Sequence, residues 1–295
     1  MSGHDGYFAP DSMLRRVHAE RAVGLLYGQR ALAIGAIDPR NFVGTIRASR
    51  YTDRPFQRLA ATAKMFETIF FGSRAEADRV LAAVHRMHER VRGRLAEDAG
   101  PFPAGTPYSA FDPELMLWTV AVSADSAMYF YELLVREPAE AERDAFWRDY
   151  VRFGELFGMP REVAPASWAE FRSYFDAKVE SPQAHLTKEA RYVGRAVMFE
   201  IPVPPSRWPA MRVHNVIMRG SLPPRVRELY WLAWTPARKA AFRAAVAVHR
   251  ASRPLTPGRI LRGPNAGSFE LVARTERARI ARGESIPGAL AGSGP

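Results

Sequence analysis

The chain has 295 residues, 47% hydrophobic and 25% charged, which is enough apolar content to bury a core. It has no cysteine, so disulfides, thiolate metal ligands, iron–sulfur clusters and cysteine nucleophiles are excluded. Its formal charge is +11, but the arginines are spread over many predicted helices with no nucleic-acid motif among them, so nucleic acid is not an expected partner.

Helical periodicity dominates from residue 13 to 251 and strand-like alternation is nearly absent, which predicts an all-α bundle of about eight to ten helices. A first helix is predicted over 14–35, with Ala22, Gly24, Ala31, Ala33 and Gly35 suited to close packing. It stops at Asp38-Pro39, because the residue before a proline is driven out of the α region. Asp53 caps and Pro55 opens a second helix, which runs to Phe71 and ends at Gly72. Ser73 and Glu76 form a capping box for a third, which the apolar spacing carries on to Leu95.

Residues 99–107 are rich in proline and glycine and read as a loop. Asp112-Pro113 opens the next helix, which runs to Val135. Further helices are predicted over 139–157, from a Ser167 cap with Glu170 in the capping-box position, and over 187–199, 211–220, 224–232 and 236–251. The tail over 252–295 is rich in arginine, proline and glycine. It is expected to be extended and partly disordered apart from a short helix near 269–280, which leaves one domain over 1–251.

No apolar run reaches the length of a membrane span, and the first residues lack the basic-then-apolar pattern of a signal peptide, so a cytoplasmic location is expected. The stretch 204–234 places Trp208, Trp231 and Trp234 among arginines. That composition offers a peripheral membrane contact as an alternative role.

Chemistry concentrates on three predicted helices. Leu81, Val84, His88, Val91 and Leu95 follow helical spacing, so His88 falls on the apolar face with His85 one turn away. Two such imidazoles can hold a metal, one can ligate a haem iron, or both can be hydrogen-bonded core residues. On the second helix Arg58 and Thr62 lie one turn apart, in line with Phe66 and Ile69. An inward guanidinium needs a carboxylate or an anionic ligand. Along 113–135, Trp118, Val122, Asp125 and Tyr129 lie close to one face, and Asp125 reads either as an arginine's partner or as a polar group in a pocket. There is no HExxH motif, glycine-rich phosphate loop, GxSxG elbow or paired Glu-x-x-His repeat.

In order, the segments ERAVGLLYGQRALAIGAIDP, DRPFQRLAATAKMFETIFFGSRAEADRV, AAVHRMHERVRG, YSAFDPELMLWTVAVSADSAMYFYE and DYVRFGELFGMPREVAP resemble the rubber oxygenase (latex-clearing protein) and mycophenolic-acid biosynthesis oxygenase family. The resemblance covers residues 10–250. It implies a globin-like fold holding a b-type haem, with dioxygen and a small lipophilic substrate as reactants. The rubber oxygenases themselves cleave carbon–carbon double bonds in polyisoprene.

The family's proximal haem ligand lies in the motif matched by HRMHERVRG, which implies that role for His88 and puts His85 at a neighbouring family histidine. A distal Arg and Thr of the family match Arg58 and Thr62, the expected catalytic hydrogen-bond donors, and Arg58 is also expected to hold a haem propionate. Met65, Phe66, Trp118, Asp125 and Tyr129 are expected to form the substrate pocket. Three positions depart from the family pattern: Ala61 stands where rubber oxygenases carry a distal lysine, and Val120 and Asp38 stand where many relatives carry histidines. The alternatives are a haem-free family member that binds an apolar ligand, and a membrane-associated protein without enzymatic activity.

Overall fold

A computed structural model describes residues 5–47 and 53–290, and residues 1–4, 48–52 and 291–295, which include the end of the expected tail, lie outside the described residues. The helices are α1 (Met13–Ala19), α2 (Arg21–Gly35), α3 (Pro39–Arg47), α4 (Pro55–Phe71), α5 (Arg74–His88), α6 (Pro113–Leu134), α7 (Glu140–Leu156), α8 (Trp168–Glu180), α9 (Lys188–Phe199), α10 (Trp208–Ser221), α11 (Pro224–Leu229), α12 (Pro236–Ser252), α13 (Gly258–Leu261) and α14 (Ala266–Ala281). Among the described residues the one sheet is a ribbon of β1 (Arg92–Arg94) and β2 (Pro107–Ser109), so the protein is all-α, as expected.

Most helices begin where their caps require. The Ser73 hydroxyl accepts from Glu76 N and the Glu76 carboxylate accepts from Ser73 N, closing the capping box that starts α5. Asp112, Ser167, Thr187 and Thr235 each accept a hydrogen bond from the first turn of the helix that follows. The α4 cap is different. Asp53 is turned to the Arg54 side chain, and the orphan N–H groups of Phe56 and Gln57 donate to Glu276 of α14, at 3.1 and 2.8 Å.

The centre of the molecule is α2 packed along α6. Small residues let the backbones approach, so that Trp118 Nε1 donates to the Gly35 carbonyl at 3.1 Å. Tyr230 reaches in from behind α11 to donate to the Ala33 carbonyl at 3.0 Å. Between the two helices Arg30 and Asp125 form a buried ion pair at 2.5 Å. Nearly every α6 residue from Leu115 to Met128 is buried, so this helix has no solvent face to orient it by.

Three predicted elements differ in the structure, and one helix is new. The first helix is broken at Glu20, a buried carboxylate that pairs with Arg253 and Arg262. An unpredicted helix, α3, starts at Pro39, where Asp38 accepts from Arg40 N. The third helix ends at His88 rather than Leu95. Its continuation is captured by the hairpin in which Gly93 pairs with Tyr108, and a side chain at Gly93 would collide with the Tyr108 ring. Val91 and Leu95 are buried, as their spacing implied, but not on that helix. Finally, much of the tail is ordered helix, because Glu276 and Ala273 give α14 a buried face against α4.

Candidate active site

Helices α3, α4 and α6, the ends of α5 and α7 and the second strand of the hairpin surround an apolar cavity of ≈ 250 Å³, and α2, α3, α4, α6 and α9 surround a second of ≈ 240 Å³ beside it. Arg58, Thr62, Phe66, Thr119 and Ser123 line both, so they stand on the divide. His88 lines the first cavity only. The i, i+4 placement of Arg58 and Thr62 on α4 therefore delivers both side chains to one place, as the helical repeat requires.

Arg58 is half-buried, and among the described residues it has neither a carboxylate nor a carbonyl partner. Burial alone pulls its guanidinium down to about 10, so it stays charged at neutral pH. An unpaired buried cation is costly, and proteins normally tolerate one only where something else will neutralise it. The Thr62 hydroxyl likewise has no hydrogen bond among the described residues.

His88 is the last residue of α5 and sits between two rings, Phe111 at 5.8 Å and Phe157 at 6.4 Å. Its Nδ1 is buried without a hydrogen-bond partner, and burial together with the neighbouring His85 lowers the imidazole's affinity for a proton. The ring is thus held neutral with a nitrogen unsatisfied. His85 does not line the cavity. Its Nε2 is 3.1 Å from the Leu156 carbonyl, which fastens α5 to the end of α7.

Met65 and Phe66 line the first cavity, with Phe153 and Phe157 of the α7 end beside them. Phe66 and Phe153 meet edge to face at 5.0 Å, and Phe153 and Phe157 at 4.9 Å. Trp118, Asp125 and Tyr129 are elsewhere. They lie about a third of a turn round α6 from the cavity-lining Thr119, Val120 and Ser123. Trp118 is core, stacked on Phe175 at 5.7 Å. Asp125 is held by Arg30 and Arg172, not Arg58, and Tyr129 lies under the Arg30 guanidinium at 4.4 Å.

The three positions that depart from the family pattern each have a definite place. Asp38 is buried in a network with Arg40 at 2.8 Å and Lys178 at 3.4 Å. Burial would raise its carboxyl, but hydrogen bonds and charge from Arg40, helped by Lys178, hold it below the usual range. Val120 is part of the apolar cavity wall. Ala61 faces away from the cavity, into an outer groove between α4 and α14.

Sequence reasoning missed Asn41, Thr119 and Ser123 as cavity residues. The signal was available in part, since Thr119 and Ser123 repeat on apolar α6 the polar i, i+4 spacing of Arg58 and Thr62. Both hydroxyls are satisfied by carbonyls one turn back, at 2.9 Å each, so they leave Arg58 as the strongest polar group there.

Fold and site together define an all-α protein with an apolar chamber flanked by an unpaired arginine and a neutral histidine. The chain belongs to the family described as ER-bound oxygenase mpaB/B'/Rubber oxygenase, catalytic domain, which it matches over residues 15–251. It is also similar to an uncharacterised protein of Mycobacterium bovis and one of Mycobacterium tuberculosis. Each is 24% identical over 209 residues, covering 70% of this chain and 77% of the relative. No solved structure matches the chain.

Proposed function

We propose that the chain is a haem-dependent oxygenase that acts with dioxygen on a small lipophilic molecule. One observation carries this reading: a neutral imidazole with an unsatisfied nitrogen and an unpaired guanidinium line one apolar cavity. A buried imidazole nitrogen without a partner and an unpaired guanidinium facing the same cavity call for a ligand that offers both a Lewis-acidic centre and a negative charge, and a haem iron with its propionates offers both. The donor set agrees. Among the described residues no three His, Asp or Glu side chains converge on a metal position, so a metal here would have to bring most of its own ligands. A globin-like arrangement around the cofactor belongs to the same reading.

In this role His88 is the protein ligand and Arg58 neutralises a propionate or a developing oxyanion. Thr62 donates a hydrogen bond on the divide between the two chambers. Met65, Phe66, Phe153 and Phe157 exclude water and favour an apolar substrate. A haem bound here would supply the centre at which dioxygen is activated.

The test is haemin titration of purified protein. A Soret band that saturates near one equivalent and is lost in His88→Ala supports the assignment. Protein that takes up no haemin supports the alternative, a haem-free relative binding an apolar ligand. Asp38 and Val120, at positions where many relatives carry histidines, favour that alternative, because one is engaged in ion pairs and the other is an apolar wall.

A further inference from the structure

We infer that α12 and the turn that follows it form a docking surface for an anionic lipid membrane. On α12, Ala237, Ala241, Ala244, Val248 and Ala251 recur at three- and four-residue spacing and are all exposed. The opposite side carries Phe242, against Trp234 at 6.0 Å, and Val246, which packs on the core. The helix has an inner face and also an outward apolar stripe with nothing over it. The 3-10 turn Arg253–Leu255 and the short α13 extend that exposure: Val248 is 69%, Leu255 86% and Ile260 57% accessible. Isolated exposed aliphatics need no explanation, but a periodic stripe of them does.

Charge identifies the occupant. Residues 229–269 contain seven lysines and arginines and not one aspartate or glutamate. Arg253 and Arg262 are engaged by Glu20, whereas Lys239, Arg243 and Arg259 have no carboxylate partner among the described residues and are exposed. Around α12, Arg238 flanks the apolar stripe on one side and Arg243 on the other, with Lys239 farther round near the first turn. An apolar stripe between cations is the pattern of a helix lying at a headgroup boundary, with its basic residues on lipid phosphates and its aliphatics beneath them. A nucleic acid would use the cations but leave the stripe in water. A second copy of this chain would set like charges against each other. The inference does not depend on the haem assignment.

The experiment is flotation of the full chain with vesicles of phosphatidylcholine alone or of phosphatidylcholine with phosphatidylserine, at low and high salt. The anionic vesicles should bind at least about tenfold more protein, and high salt should release most of it. Val248→Asp with Leu255→Asp, and separately Arg243→Glu with Arg259→Glu, should each lower binding at least about fivefold, with circular dichroism melting unchanged because these sites are exposed. Equal binding to neutral and anionic vesicles would overturn the proposal, as would full binding by either variant. So would tighter binding to duplex DNA than to vesicles, or self-association that Val248→Asp abolishes.

Discussion

Arg58 of α4 and His88 at the end of α5 line the same apolar cavity, and the side chain of each has a polar group that the described protein does not satisfy. Arginines at Asp125, Asp38 and Glu20 are all paired, so leaving Arg58 alone is a local exception. The stability this exception forgoes can be measured.

Replacing Arg58 with methionine keeps the bulk of the side chain and removes the charge. We expect Arg58→Met to leave the unliganded protein as stable as the parent, or more stable by about 1–2 kcal/mol, in urea unfolding. Haemin affinity should fall in the same variant. A clear loss of stability would show that Arg58 has a structural partner.

Asp125 gives the opposite result. With Arg30 and Asp125 both buried, Asp125→Ala strands a cation and should cost about 3–5 kcal/mol, while the double change Arg30→Met with Asp125→Leu should recover most of it. Haemin uptake by the double variant should match the parent, because neither residue lines the His88 cavity.

His18 sets an acid limit on the fold. It is fully buried against the Tyr150 hydroxyl at 2.6 Å, and desolvation lowers its pKa to about 3. The unfolded chain takes up this proton below about pH 6.5 and the folded chain does not, so stability is complete above that pH and falls by about 1.4 kcal/mol per unit toward pH 3. His18→Phe should remove this part of the slope, at the expense of about 1–3 kcal/mol at neutral pH for the stranded Tyr150 hydroxyl. Denaturant melts of both proteins across the acid range decide the matter, and parallel curves would refute it.

Glu276→Ala should cost about 1–2 kcal/mol, the usual range for a lost helix cap. The loss should show first as faster hydrogen exchange at Phe56 and Gln57, the two N–H groups the carboxylate holds. Unchanged exchange there would mean that the contact is incidental.

What could be read from the sequence was local. The Ser73–Glu76 box, the Asp112, Ser167 and Thr187 caps and the inward pair Arg58–Thr62 all follow from spacing within one or two turns, and the structure has each. What could not be read was which surface meets which. Helical spacing alone puts Trp118 and Tyr129 in the pocket, because α6 is apolar nearly all round and gives no sign of which side faces the cavity. Asp125 called for an arginine, but only the tertiary fold selects Arg30 and Arg172 over Arg58. The end of α5 was hidden because Val91 and Leu95 keep helical spacing while being buried by a hairpin instead.

The Glu276 contact also bears on where this protein ends as a folding unit. The family match stops at residue 251, yet the first turn of the helix that bears Arg58 is closed by a side chain 25 positions further on. A boundary drawn from shared ancestry would thus separate α4 from the carboxylate that caps it. A chain trimmed to that boundary should keep every candidate chemical group and still hold Arg58 and Thr62 on a frayed support. In this protein the stretch shared with the family is shorter than the stretch that closes its own helices.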